Sequence, residues 1–204
     1  GKMGDLLLWC ILLIVLISNF FRILAYPHPR KGLDGCMGTI LGLVYVPVLW
    51  SFLVRIYLSG DATQPGWAAF YVILCMKMAD SGGYFFGTRF GKHKLSPVIS
   101  PQKSWEGLFG GIAVCLLINF IWLYVSKGRI NSIYSLTLLH AVILGFLLPV
   151  VGTLGDLVES MFKRAVKMKD SNTMVYGIGG VLDMIDSILF AAPLFYIYSE
   201  LFLK

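Results

Sequence analysis

A chain can cross a lipid bilayer only as helices that stay apolar for about 20 residues, or as a closed barrel of alternating strands. Six runs here meet the first requirement: Leu6 to Ala25, Met37 to Tyr57, Gly66 to Phe86, Gly107 to Val125, Leu136 to Leu157 and Gly179 to Leu203. None alternates as barrel strands do. The expectation is an all-α fold, a polytopic transmembrane helical bundle of about six spans. Composition agrees, since 57% of the residues are hydrophobic, against roughly 45 to 50% in soluble domains.

Charge orients the bundle. The connections after the first, third and fifth spans carry Arg22, Arg30, Lys31, Arg89, Lys92, Lys94, Lys103, Lys163, Arg164, Lys167 and Lys169, eleven of the 17 Lys and Arg. Lys2, Arg55, Lys127, Arg129 and Lys204 fall on the other side, and Lys77 lies within a span. The side richer in Lys and Arg is the cytoplasmic one. The expectation is an integral protein of the cell inner membrane or its equivalent, with its chemistry on the cytoplasmic side and both ends of this chain facing outward.

The net charge of +6 resides on side chains next to apolar helices. That placement points to membrane lipids and nucleotide phosphates as partners, and away from nucleic acid. Cys10, Cys36, Cys75 and Cys115 lie in or beside spans without CxxC spacing, so they read as packing residues, neither disulfides nor zinc ligands. The chain opens GKMGD directly into a span without a cleavable-leader pattern, and the expectation is a piece of a longer protein with further spans before it.

Polar residues concentrate in two stretches. The first reads DSGGYFFGTRFGKHKLSPVISPQKSWEG, Asp80 to Gly107. Helical spacing sets Lys77, Asp80, Tyr84 and Gly87 on one face. A carboxylate in a membrane helix needs a partner or a wet cavity; the plainer reading is that Lys77 and Asp80 pair and hold the bundle together. Beyond Gly87, Gly91, Pro97 and Pro101 predict an ordered loop. Its cations, with the hydroxyls of Ser100 and Ser104 beside Lys103, suit phosphate oxygens, although a polybasic loop that merely attracts anionic lipid has the same composition. Glu106 lies near the start of the fourth span, where the helix dipole favours a carboxylate.

The second stretch reads SMFKRAVKMKDSNTMVYGIGGVLDMIDS, Ser160 to Ser187. If the fifth span continues as a helix to Asp170, then Asp156, Ser160, Lys163, Lys167 and Asp170 fall within an arc of about 80°. That stripe suits an anion held by the lysines and a cation held by Asp156; an amphipathic helix lying in the interface gives a similar pattern. In the sixth span Gly179, Asp183 and Asp186 share a face. Two carboxylates at i and i+3 with no base between them call for a cation. A hard divalent ion such as Mg²⁺ fits oxygen ligands, with a second cation left open, and Gly179 and Gly180 leave room for a phosphate to approach. Metal, phosphates and a lipid head group gathered at one membrane surface point to phosphoryl or nucleotidyl transfer.

SMFKRAVKMKD followed by GIGGVLDMIDS resembles the C-terminal signature of the phosphatidate cytidylyltransferase family, the CDP-diacylglycerol synthases, and DSGGYFFGTRFGKHKLSPVISPQKSWEG resembles the other cytoplasmic segment of that family. Ile178 and Met184 stand where the family usually has His and Arg, so no role of those residues carries over. The resemblance implies that residues 1–204 form a single membrane cytidylyltransferase domain, the catalytic C-terminal part, transferring the cytidylyl group of CTP to phosphatidate with release of pyrophosphate. It implies Mg²⁺, and often a homodimer. By that resemblance Lys163, Arg164, Lys167, Asp183 and Asp186 are catalytic. Asp156, Asp183 and Asp186 hold metal, and Asp80, Ser100, Lys103, Ser104, Glu106, Ser160, Asp170, Gly179 and Gly180 bind substrate. The rival readings are a related cytidylyltransferase or kinase acting on an ether lipid or a polyprenol, and a transporter whose ion path is lined by the same carboxylates.

Overall fold

The computed structural model describes residues 44–59, 66–125, 136–165 and 181–203, with isolated positions between 10 and 42. Two compact units emerge, Gly1–Leu49 and Trp50–Lys204. In the first, the described residues are helical, and Val44–Val48 is a π-helical turn containing Pro47. Proline has no N–H to donate and crowds the preceding turn, so a locally wider helix accommodates it. The first expected span, Leu6 to Ala25, lies largely outside the described residues.

Helix α1 (Leu49–Leu58) leads into the second unit, which then runs α2 (Trp67–Phe90), β1 (Lys94–Ser96), β2 (Ser100–Ser104), α3 (Trp105–Val125), α4 (Leu138–Ala165) and α5 (Val181–Phe202). Among the described residues four helical stretches are long and apolar enough to cross a membrane: Ile40–Leu58, Trp105–Val125, Leu138–Arg164 and Met184–Phe202. This is a helical membrane protein. α2, at 24 residues, has the length but is interrupted by Lys77, Asp80, Ser81 and three glycines, and is not among those four.

The region beyond Gly87, expected as an ordered loop, is three further helical residues followed by a short hairpin. α2 runs on to Phe90 and stops at Gly91, where a Cβ would stand 2.2 Å from the Gly87 carbonyl oxygen. β1 and β2 then pair antiparallel, with Lys94 opposite Ser104 and Ser96 opposite Ser100. The base of this hairpin is closed by the Trp105 N–H donating to the His93 carbonyl at 3.0 Å. Glu106 reinforces it, accepting from the His93 N–H at 3.2 Å and meeting His93 Nδ1 at 2.7 Å. Ser104 caps α3, its Oγ accepting from the Gly107 N–H at 3.2 Å, the side-chain acceptor that a helix N-terminus needs.

α2 packs against α3, α3 against α4, and α4 against α5. The α2–α3 contact is built on small residues. A Cβ on Gly107 would come within 2.8 Å of the Gly83 carbonyl oxygen, and one on Gly111 within 2.9 Å of that of Ala79. Between membrane helices, where lipid competes equally for apolar surface, such close backbone approach supplies the association. Deeper in the bundle Tyr71, Val72, Cys75 and Met76 of α2 meet Cys115 and Trp122 of α3, Leu144 and Leu148 of α4, and Ala191 and Phe195 of α5. Fully buried Asn119 donates to the Cys115 carbonyl at 2.8 Å and accepts from the Tyr71 hydroxyl.

Candidate active site

The two polar stretches, far apart in sequence, converge on one cavity of about 430 Å³. α2 contributes Asp80 and Tyr84, and β2 contributes Ser100, Gln102, Lys103 and Ser104. α4 adds Thr153, Asp156, Glu159, Ser160 and Lys163, and α5 adds Asp186. The glycines of the α2–α3 crossing, Gly83, Gly87, Gly107 and Gly111, form part of the wall, so the packing that joins those helices also keeps side chains out of the cavity.

The hairpin delivers Lys103 to α4. Its Nζ donates to Asp156 Oδ2 at 2.6 Å and lies 3.4 Å from the Thr153 carbonyl oxygen. The other Asp156 oxygen, Oδ1, is buried and has no hydrogen-bond partner among the described residues. One turn further along α4, Glu159 is buried and pairs with Lys163 at 3.2 Å. Asp186, 7% exposed, lines the same cavity as Glu159 and Asp156. Its Oδ1 accepts from the Ser187 N–H at 2.8 Å. Asp80 Oδ2 accepts from the Ser187 hydroxyl at 3.0 Å and stands 3.5 Å from Lys77 Nζ. The pairing expected of Lys77 and Asp80 is therefore present, and Asp80 faces the cavity as well.

Of the residues singled out in the sequence, Asp80, Ser100, Lys103, Ser104, Asp156, Ser160, Lys163 and Asp186 line this one cavity. Arg164 is exposed and Glu106 is turned to His93; neither is among the lining residues. Asp183 lies in the first turn of α5, its side chain outside the description, and Lys167, Asp170, Gly179 and Gly180 lie outside the described residues. Glu159, Gln102 and Thr153 were not anticipated. Glu159 had a signal, standing one turn from both Asp156 and Lys163 on the same helix.

Four carboxylates, Asp80, Asp156, Glu159 and Asp186, thus share a cavity with Lys103 and Lys163. Acids gathered in a poorly solvated space stay ionised only when cations join them. Among the described residues no three carboxylate, imidazole or thiolate groups already form a metal cage. Mg²⁺ does not require one: it is commonly held by one or two carboxylates, with waters and substrate phosphates completing its shell. The buried Oδ1 of Asp156, without a partner among the described residues, fits that demand. The lysines and the Ser100 and Ser160 hydroxyls offer what phosphate oxygens accept.

This is the arrangement of a helical membrane protein that gathers carboxylates, ammonium groups and hydroxyls in one cavity. Comparison with known proteins narrows the class: residues 1–202 match the model of the Cytidylyltransferase family, and the chain belongs to that family. It is 45% identical over 125 residues to a phosphatidate cytidylyltransferase of Haemophilus influenzae, an alignment covering 61% of this chain and 43% of that protein. It is 32% identical over 198 residues to one of Chlamydia pneumoniae, covering 95% and 63%. With one of Bacillus subtilis it shares 43% identity over 163 residues, covering 79% and 57%. The chain therefore spans 43%, 63% and 57% of the length of these relatives.

Proposed function

We propose that this chain carries the catalytic part of a phosphatidate cytidylyltransferase, forming CDP-diacylglycerol and pyrophosphate from CTP and phosphatidate. The observation that carries the reading is the cavity that gathers Lys103, Lys163, Asp156 and Asp186 from three separate elements, in a chain similar to proteins that bear that name. Residues 1–204 act as one catalytic domain in this reading, and the cavity opens to the cytoplasmic side, where the Lys and Arg concentrate.

Asp156, Asp183 and Asp186 would hold Mg²⁺, which when bound supplies charge neutralisation for the phosphates and polarises the phosphorus under attack. An oxygen of the lipid phosphate attacks the α-phosphorus of CTP, forming the new P–O–P bond as the bond to the β-phosphate oxygen breaks and pyrophosphate departs. The attacking oxygen is already anionic at neutral pH, so a strong general base is unnecessary. That makes isoleucine at position 178 compatible with the reaction.

Lys103 and Asp156 neutralise each other across 2.6 Å. With substrate present, the Lys103 ammonium would meet a phosphate oxygen, and Asp156 would be released to hold the cation. Lys163, with Arg164 and Lys167 beyond it, neutralises charge accumulating on the leaving pyrophosphate. Ser100, Ser104 and Ser160 donate to phosphate oxygens. Glu106 contributes by holding the hairpin base. A homodimer and a second cation belong to the same reading.

Release of pyrophosphate from CTP by the purified protein in mixed micelles tests the proposal. Release that requires both phosphatidate and Mg²⁺ is expected. Release with neither, or transfer to a polyprenyl phosphate in preference to phosphatidate, would assign the site to another reaction.

A further inference from the structure

Lys77 plays no part in the chemistry above, yet it is a lysine in the middle of a membrane-packed helix, where an ammonium is costly to keep. Its Nζ donates to the carbonyl oxygen of Met184, 107 residues away, at 2.6 Å, and also lies 3.5 Å from Asp80 Oδ2. A carbonyl in the first turn of a helix already serves the N–H four residues on, so this ammonium is an additional tie between α2 and α5. Three residues along each helix a second tie follows, from the Ser187 hydroxyl to Asp80 Oδ2 at 3.0 Å. Ser187 is fully buried and its N–H donates to Asp186 Oδ1. One turn of α2 is thereby fastened at two points to the turn of α5 that carries Asp183 and Asp186.

We infer that Lys77 and Ser187 are positioning residues: together with Asp80 they clasp the first turns of α5 to α2 and hold Asp186 aimed into the cavity. Cross-ties from a neighbouring helix fix these first turns of α5. The inference rests on the proposed reaction only for what the aimed carboxylate does; the clasp itself is a statement about α5.

Amide hydrogen exchange of the purified protein in detergent, without nucleotide, lipid or metal, tests it in wild type, Lys77→Met, Lys77→Arg and Ser187→Ala. In Lys77→Met and Ser187→Ala the amides of residues 185–190 are expected to exchange about tenfold or more faster, as loss of a charge-assisted hydrogen bond implies, while those near Leu144 and Leu148 in α4 keep their rates. Lys77→Arg, which retains the donor, is expected to stay near wild type. Unchanged exchange at 185–190, or equal acceleration in every helix, would overturn the clasp. Turnover is read separately: Lys77→Met is expected to lower kcat more than it raises KM for CTP, the direction expected of losing Asp186 itself. If the wild type itself does not turn over CTP, the proposed reaction fails while the exchange result still decides the clasp.

Discussion

Asn119 and Asp156 are both polar groups set inside the same bundle, and they are satisfied to different degrees. Asn119 uses both ends of its amide, accepting from Tyr71 and donating to the Cys115 carbonyl. Asp156 uses one oxygen on Lys103 and leaves the other buried without a partner among the described residues. A buried polar group whose bonds all close within the protein contributes packing specificity. One left open, among further carboxylates, costs stability and is expected where a ligand completes it. The bundle thus has a closed polar cluster that serves the fold and an open one to which the proposed reaction assigns the chemistry.

Substitutions should separate the two. The largest effect is expected from Asp186→Asn, which keeps size but removes charge at the open cluster: turnover should fall roughly a hundredfold or more, as when one electrostatic stabiliser is lost, while the melting temperature in detergent stays within a few degrees of wild type. A variant with near wild-type turnover at ordinary Mg²⁺ would remove Asp186 from the chemistry.

Gly111→Ala acts on the helix crossing that supports both clusters. Its Cβ would meet the Ala79 carbonyl oxygen at 2.9 Å, and overpacking of this kind costs about 1 to 3 kcal/mol. Denaturant titration in detergent should show that loss.

Asn119→Ala should cost about 1 kcal/mol, the scale of interhelical hydrogen bonds in membrane proteins. KM for CTP should not change, since none of the partners of Asn119 lines the cavity. A raised KM would mean the closed cluster is coupled to the site. The smallest loss, about 0.5 to 1 kcal/mol, is expected from Ser104→Ala through the missing cap on α3; a further fall in turnover at full folding would show that the hydroxyl also meets substrate.

The spans were legible because apolar length is a one-dimensional signal. Trp105–Val125 and Val181–Phe202 begin or end within two residues of the runs read from hydropathy. The hairpin was not: β1 has only three residues, too few to show alternation, and proline and glycine mark loops and hairpins alike. The site was legible where charge stood out against apolar sequence, at Asp80, Lys103, Asp156, Lys163 and Asp186. Glu159 escaped because ideal projection puts it roughly 20° outside the stripe drawn through Asp156 and Lys163, and a side chain of that length spans such an offset. The glycine crossing was unread because Gly83 and Gly107 acquire meaning only once α2 and α3 are known to meet.

Ligand-induced stabilisation tests the contrast most directly. The melting temperature should be followed as Mg²⁺ and CTP are added together to wild type, Asn119→Ala and Asp156→Asn, because a ligand that binds the folded state raises it by mass action. The expected result is an upward shift in wild type and an equal shift in Asn119→Ala from a lower starting point, with little or none in Asp156→Asn. An undiminished shift in Asp156→Asn would contradict the assignment of the open cluster to cation and nucleotide binding.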